Sequence, residues 1–155
     1  MGLISSLRGK VVGLDAAPLI YYIEDHPTYR KIVDPFFDMV ERGEITVVTS
    51  ILTLLETLVL PIRRSDKELA QKYRTILLDT EGLTMIDFSQ VILEEAARLR
   101  AFHTVRTPDA IQMATAIIEG ADFFLTNDKK LPSLPNLTML VVDNIISDEG
   151  TEEES

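Results

Sequence analysis

The sequence predicts an α/β protein with three layers, in which a mostly parallel central sheet lies between two layers of helices. Short segments rich in Val, Ile and Leu alternate along the chain with longer segments of helical periodicity. This alternation is typical of βαβ units and parallel sheets. The 155 residues also fit one compact domain, large enough to bury roughly two-thirds of the surface of its unfolded chain.

Two strands and three helices are predicted in the first half of the chain. The strands are short runs with β-branched residues, at 11–14 and 45–48. Helical spacing of apolar residues places the helices at 18–23, 28–42 and 50–60. Pro18 suits a first turn, Gly43 stops the second helix and Pro35 is expected to kink or split it. Ser50 caps the third helix, which is expected to end at Pro61.

The second half of the chain repeats the alternation. Strands are predicted at 83–86, 122–126 and 137–142, and helices at 66–78, at 89–103 and from 107 onward. Ser65 or Asp66 caps the first of these helices, Ser89 begins the second and Pro108 lies in the first turn of the third. The strand at 137–142 is expected to close the sheet.

Acidic residues are concentrated at the end of the chain. Five of the 25 Asp and Glu residues lie at 148–155, which we expect to be a disordered tail after a single domain at 1–147. The whole chain has a net charge of −10, whereas residues 1–147 contain 20 acidic and 15 basic residues, a net charge of −5. Nucleic-acid binders usually carry a basic surplus, and the tail weakens the argument against such a role.

The chain contains no cysteine, which excludes disulfides, thiolate zinc sites and cysteine nucleophiles. Metal ligands would therefore be carboxylates or histidines. The sequence shows no signal peptide, and its longest apolar run, at 51–62, is interrupted by Glu56. We expect a cytoplasmic protein that does not enter the membrane.

Two aspartates directly follow predicted strands. Asp15 follows the strand at 11–14, and Asp128 follows the strand at 122–126. The carboxyl ends of parallel strands are where open α/β sheets bind ligands. Asp15 could equally be a helix N-cap, and Asp128 could belong to an ordinary turn. Each of these alternatives has about even weight when its residue is taken alone.

Two further acids are placed by helices. Glu56 has Leu52, Val59 and Leu60 as helical neighbours, so its charge needs a partner, a bound metal or an outward orientation. Arg63 or Arg64 would be the structural partner. Asp109 is expected in the first turn of a helix, where an anion gains about 0.3–1 kcal/mol from the helix dipole. That gain alone can explain Asp109.

A doubly wound sheet would bring these four carboxylates together at one edge. An all-carboxylate cluster suits hard, oxygen-preferring cations, Mg²⁺ or Mn²⁺, rather than zinc. Basic residues would then steer a polyanionic substrate. The candidates are Arg63, Arg64, Lys67, Arg106, Lys129 and Lys130. The alternative, that each of these six simply solvates the surface, has better than even weight.

Four segments, in this order and spacing, resemble the PIN domain family and especially its VapC-type toxin branch. They lie at 12–15 (VGLD), 49–56 (TSILTLLE), 106–116 (RTPDAIQMATA) and 124–128 (FLTND). The resemblance extends from Val11 to Val142. It implies a metal-dependent endoribonuclease with Asp15, Glu56, Asp109 and Asp128 in the site and with Ser50 and Thr126 as supporting residues. It also implies RNA as the substrate, an antitoxin protein as a partner and a homodimer.

The chain departs from the family pattern at three positions. Many relatives carry Thr or Ser and then Ser or Asn after the first aspartate, where this chain has Ala16 and Ala17, and Gln112 stands where relatives often have histidine. Loss of groups that orient metal ligands weakens metal binding roughly 10–100-fold. A non-catalytic PIN-like module that binds RNA or protein is therefore the alternative function.

A phosphatase-like or receiver domain is a further alternative, because both place aspartates at strand ends. Such phosphatases need a second aspartate two residues after the nucleophile, whereas position 17 is alanine. A receiver domain needs an acidic pair near the first strand and an aspartate after the third, for which Asp87 is only a loose match.

Overall fold

The computed structural model describes the chain from residue 2 to residue 154, and its side chains as far as residue 148. A short 3-10 helix, Ile4–Leu7, precedes the first strand. The strands are β1 (Val11–Leu14), β2 (Thr46–Ser50), β3 (Leu83–Ile86), β4 (Phe123–Thr126) and β5 (Thr138–Val141). The helices are α1 (Ala16–Ile23), α2 (Arg30–Glu41), α3 (Leu52–Arg63), α4 (Lys67–Asp79), α5 (Gln90–Phe102), α6 (Thr107–Ile118) and α7 (Val142–Glu154).

The five strands form one sheet in the order β3-β2-β1-β4-β5, and every neighbouring pair is parallel. The prediction of a mostly parallel sheet is confirmed. Strands β2 and β3 are added on one side of β1, whereas β4 and β5 are added on its other side. β1 pairs with β4 through Leu14 and Leu125. This is a topological switch point, the place at which open α/β sheets bind ligands beyond the carboxyl ends of their strands.

Two hydrophobic cores cover the two faces of the sheet, which confirms the three-layer prediction. One core joins α1, α2, α4 and α7 to one face and contains Leu14, Phe36 and Leu77. The other joins α5 and α6 to the opposite face and contains Phe124 and Leu99. Successive strand residues enter different cores because side chains alternate across a strand.

Gly13 permits a close approach between α6 and β1. A Cβ atom at this position would lie 2.5 Å from the Cβ of Ala116 and 3.0 Å from Cδ1 of Phe124. Those distances are too short for carbon atoms in contact. The missing side chain therefore allows α6 to pack directly on the central strand, which brings its first turn close to the end of β1.

The structure corrects the predicted effects of two prolines. Pro35 lies inside α2 without splitting it, and Pro61 lies inside α3, which continues to Arg63 instead of ending at the proline. A proline removes one backbone donor, but the buried Pro61 is near the end of its helix, where the Arg64 N–H closes the last turn on the Leu60 carbonyl at 3.0 Å.

Side chains accept backbone N–H groups at the starts of helices α3, α4 and α5. Asp66, one of the two predicted caps, caps α4 by accepting the Leu69 N–H. Ser89, which was predicted to begin the next helix, is the N-cap of α5 and accepts the Ile92 N–H. The N-cap of α3 is Ile51 rather than Ser50. Ser50 nevertheless supplies the side chain, because its Oγ accepts the Leu52 N–H at 3.1 Å.

The sequence did not predict α7. This helix extends through Glu154 and so enters the segment 148–155 that was expected to be a disordered tail. The side chains of residues 149–154, and residue 155 altogether, lie outside the described part of the structure, so the division into a domain and a tail stays a prediction. Over the described residues, no helix combines the length and apolarity that crossing a bilayer requires.

Candidate active site

Asp15 lies at the switch point, directly after β1, and is also the N-cap of α1. Its Oδ1 accepts the Ala16 N–H at 2.9 Å, and its Oδ2 accepts the Thr126 hydroxyl at 2.7 Å. The two interpretations of Asp15, helix cap and site residue, are therefore compatible. Thr126, the last residue of β4, is fully buried, and it connects the ends of the two central strands.

Burial raises the pKa of Asp15 to about 6. The hydrogen bonds from Thr126 and the Ala16 N–H oppose this shift, whereas the negative charges of Glu56 and Asp109 add to it. Both carboxylates are thus close enough to act on Asp15 electrostatically, although they come from α3 and α6. The fold brings three of the four predicted acids into one electrostatic cluster.

Glu56 projects from the second turn of α3 toward α6. Its Oε1 accepts a hydrogen bond from Nε2 of Gln112 at 3.0 Å. The amide of Gln112, rather than Arg63 or Arg64, is therefore the partner that the structure shows for this carboxylate. Gln112 is 2% exposed, so the contact is supported by a well-packed group.

Asp109 lies in the first turn of α6, as predicted. Its Oδ2 is 3.4 Å from Nε of Arg106, and the Arg106 side chain is 82% exposed whereas that of Asp109 is 16% exposed. An ion pair with one partner in solvent contributes at most about 1 kcal/mol. Arg106 can therefore be displaced from Asp109 at little cost by another cation.

Asp128 lies in the loop after β4 and is held by backbone bonds. Its Oδ1 accepts the Lys130 N–H at 2.9 Å, and its own N–H donates to Oγ1 of Thr126 at 3.1 Å. Thr126 therefore contacts both Asp15 and the backbone of Asp128. The turn interpretation of Asp128 is correct, and the same turn directs the residue toward the groove described next.

An open groove with a cavity volume of about 680 Å³ runs beside the acidic cluster. Asp109 and Asp128 lie in its wall together with basic and neutral residues, namely Arg100, Thr104, Val105, Arg106, Lys130 and Leu131. Arg100 is held in place by hydrogen bonds from Nε to the Val105 carbonyl at 3.2 Å and from Nη1 to Oγ1 of Thr107 at 2.8 Å. The groove thus combines two carboxylates with three cationic side chains.

The predicted basic residues are divided by the fold. Arg106 and Lys130 line the groove, as predicted. Arg63 and Arg64 instead lie at the far end of α3, about 10 Å along the helix axis from Glu56 at 1.5 Å per residue. Lys129 points to Asp143, with Nζ 3.9 Å from Oδ2. Sequence reasoning missed Arg100, whose only local signal is its place in the last turn of α5 before the α5–α6 loop.

The donor atoms of the cluster suit a hard cation, but they are not assembled around one point. Among residues with described side chains, no group of three or more His, Cys, Asp or Glu is placed to hold an ion. Asp109 and Asp128 are partly engaged by Arg106 and the Lys130 N–H. The negative charges of Glu56 and Asp109 add to the raised pKa of Asp15, and a cation between these carboxylates would offset their repulsion. The four-carboxylate metal site stays a prediction.

An open parallel sheet with carboxylates at its switch point defines a class of α/β proteins that bind ligands at the carboxyl edge. Within this class, the chain belongs to the PIN domain family, because the model of that family matches residues 12–137. The family resemblance is confirmed. Comparison with curated proteins finds no match.

Solved structures with a similar fold include toxin–antitoxin proteins. VapBC2 from Rickettsia felis, bound to a promoter DNA fragment, has a TM-score of 0.67 and 24% identity, covering 84% of this chain and 98% of that chain. A toxin–antitoxin complex from Klebsiella pneumoniae has a TM-score of 0.62 and 21% identity, covering 83% and 95%. VapC20 from Mycobacterium tuberculosis, a toxin that cleaves the sarcin-ricin loop, has a TM-score of 0.60 and 18% identity, covering 74% and 86%.

Proposed function

We propose that this protein is a nuclease that hydrolyses RNA phosphodiester bonds with the help of Mg²⁺ or Mn²⁺. The observation that carries the proposal is the placement of Asp15 at the switch point, where it is desolvated and within electrostatic reach of Glu56 and Asp109. Membership of the PIN domain family supports the same activity. The excess negative charge of the cluster favours a cation with oxygen-preferring chemistry.

Asp15 and Asp109 are the first choices for contact with the cation, and Glu56 and Asp128 complete the set. The cation would polarise the phosphate, lower the pKa of an attacking water and neutralise the leaving oxygen. Two of these carboxylates have contacts that support such a role. Thr126 and the Ala16 N–H orient Asp15, and the first turn of α6 stabilises the charge of Asp109.

The groove beside the cluster would hold the RNA strand. Arg100, Arg106 and Lys130 line it and can donate to phosphate oxygens, which fixes the position of a strand without reading its sequence. The carboxylates would repel phosphate while no cation is bound. Cation binding should therefore precede productive binding of RNA.

We propose further that the protein is the toxin of a toxin–antitoxin pair. The support is its likeness to VapBC structures, two of which carry promoter or other DNA together with the complex. A small antitoxin protein is then the expected partner, and the predicted homodimer stays a prediction. The toxin proposal is tested by searching for a protein that co-purifies with this chain and suppresses its cleavage of RNA.

Cleavage of a mixed RNA pool by purified protein, with Mg²⁺, Mn²⁺ or EDTA, tests the nuclease proposal. Asp15→Asn and Asp109→Asn should each lower the cleavage rate at least 100-fold. Asp122→Asn is the matched control, because Asp122 is exposed and precedes β4, at the opposite edge of the sheet. Equal cleavage by the wild type and both site variants would contradict the proposed site, whereas RNA binding without any cleavage would favour the non-catalytic module.

A further inference from the structure

Gln112 is a buried polar residue, and both the nitrogen and the oxygen of its side-chain amide have hydrogen-bond partners. It lies in the middle of α6 and is 2% exposed. Its Nε2 donates to Oγ1 of Thr53 at 2.8 Å and to Oε1 of Glu56 at 3.0 Å, and its Oε1 accepts the Ser50 N–H at 3.4 Å. Among the described residues, no fully buried side-chain nitrogen or oxygen lacks a hydrogen-bond partner.

The Leu14 carbonyl determines which group donates and which accepts in each of these hydrogen bonds. Oγ1 of Thr49 donates to the Leu14 carbonyl at 2.8 Å, which uses the single proton of that hydroxyl. Thr49 and Thr53 are 2.6 Å apart at their hydroxyl oxygens, so Thr53 must be the donor of that pair. Oγ1 of Thr53 can then only accept from Gln112, which places the amide nitrogen, not the oxygen, toward Thr53.

This assignment determines what Gln112 presents to Glu56. One amide hydrogen is used by Thr53, and the second hydrogen of the same nitrogen points to Oε1 of Glu56. The relay of Leu14, Thr49, Thr53 and Gln112 begins at the last residue of β1, next to Asp15, and ends at Glu56. It crosses β1, β2, α3 and α6 through buried groups.

We propose that Gln112 is the positioning residue of the active site: through this relay it holds the Glu56 carboxylate in a set orientation relative to Asp15. The inference rests on the proposed function for its catalytic meaning, but the orientation of Glu56 is a property of the protein without metal. A purely structural Gln112 would stabilise the packing of α6 on α3 without acting through Glu56.

A double-mutant cycle separates these two roles. We would measure the Mn²⁺ dissociation constant by titration calorimetry for the wild type, Gln112→Met, Glu56→Ala and the double variant. Loss of a group that orients a metal ligand typically weakens metal affinity 10–100-fold. Gln112→Met should therefore weaken Mn²⁺ binding by about that factor when Glu56 is present. In the Glu56→Ala background the same substitution should weaken binding by less than twofold. An equal loss in both backgrounds would overturn the proposal.

Thr115→Val is the matched control. Thr115 is buried on the same helix, and its hydroxyl bonds only the Ile111 carbonyl at 2.8 Å. Loss of this hydroxyl should leave the Mn²⁺ affinity unchanged. Thr53→Val, which removes the acceptor that orients the amide, should lower the affinity by an intermediate factor and serves as the second variant if Gln112→Met does not fold.

The NMR signals of the Gln112 side-chain amide give a readout that needs no metal. Both amide protons should exchange slowly with water, and one should shift strongly in Glu56→Ala and the other in Thr53→Val. Amide signals that do not respond to Glu56→Ala would overturn the inference. Shifted amide signals in a protein that binds no Mn²⁺ would instead contradict the proposed metal-dependent function and leave the positioning of Glu56 supported.

Discussion

The hydroxyl of Thr126 donates a 2.7 Å hydrogen bond to Oδ2 of Asp15 across 111 positions of the sequence. The bond joins the ends of β4 and β1, which are neighbours only because the sheet order places them side by side. It lowers the pKa of Asp15 against the larger effect of burial. The protonation of Asp15 therefore depends on the hydrogen bond from Thr126.

Removal of the Thr126 hydroxyl should raise the pKa of Asp15 beyond its present value of about 6. Thr126→Val loses the donor, whereas Thr126→Ser keeps it and is the matched control. The measurement is the pH titration of the Asp15 carboxyl carbon by NMR in metal-free protein. A midpoint that is the same in the valine and serine variants would show that the hydroxyl does not stabilise the charged form.

Asp15→Asn should stabilise the metal-free protein at neutral pH. The folded-state pKa of Asp15, about 6, exceeds the ordinary pKa of 3.8. The favourable contribution of Asp15 to stability is therefore complete below pH 3.8 and is lost as the pH rises through 6. Because one pKa unit corresponds to about 1.4 kcal/mol, the variant should gain roughly 1–3 kcal/mol above pH 7. Asparagine also keeps the helix cap.

Urea unfolding of both proteins at pH 4, 5, 6 and 7 measures this difference. The gain should grow from pH 4 to pH 7. Added Mn²⁺ should stabilise the wild type more than the variant, because a ligand that binds the folded state raises its stability. A gain that is independent of pH would contradict the raised pKa.

Gly13→Ala should destabilise the protein by about 1–3 kcal/mol, as expected for an overpacked interior. The added methyl group would lie 2.5 Å from the Cβ of Ala116, so α6 must move away from β1, and Asp109 with it. Urea unfolding and the cleavage rate measure the two effects. Combining Gly13→Ala with Ala116→Gly removes the shortest contact and should restore part of both the stability and the cleavage rate. No recovery would show that the strain lies elsewhere.

Arg100→Ala and Lys130→Ala should each weaken RNA binding without changing its sequence preference. Both residues line the groove, and each phosphate contact that is lost should reduce the salt slope of the binding constant by about 0.7 for single-stranded RNA. Arg63→Ala and Arg64→Ala are the charge-matched comparison, because these residues lie at the far end of α3. Equal effects from both pairs would favour the original prediction that Arg63 and Arg64 bind RNA.

Local sequence signals were sufficient for most of the fold. Strands at 11–14 and 83–86 were predicted correctly, and the starts of α4 and α5 were predicted to within a residue. Short β-branched runs and capping side chains act within a few residues. The errors have a different origin. Pro61 was expected to end α3, but it lies buried inside that helix, which continues to Arg63.

The sequence by itself determined which carboxylates follow strands or begin helices, and hence that Asp15, Asp109 and Asp128 would lie at one edge of a parallel sheet. Only the tertiary structure decided which distant residues complete the site. Gln112 meets Glu56 across 56 positions, and Arg100 rather than Arg63 lines the groove. Such contacts depend on strand order and on the packing of α6 against β1 at Gly13, and these are properties of the whole chain that no local pattern contains.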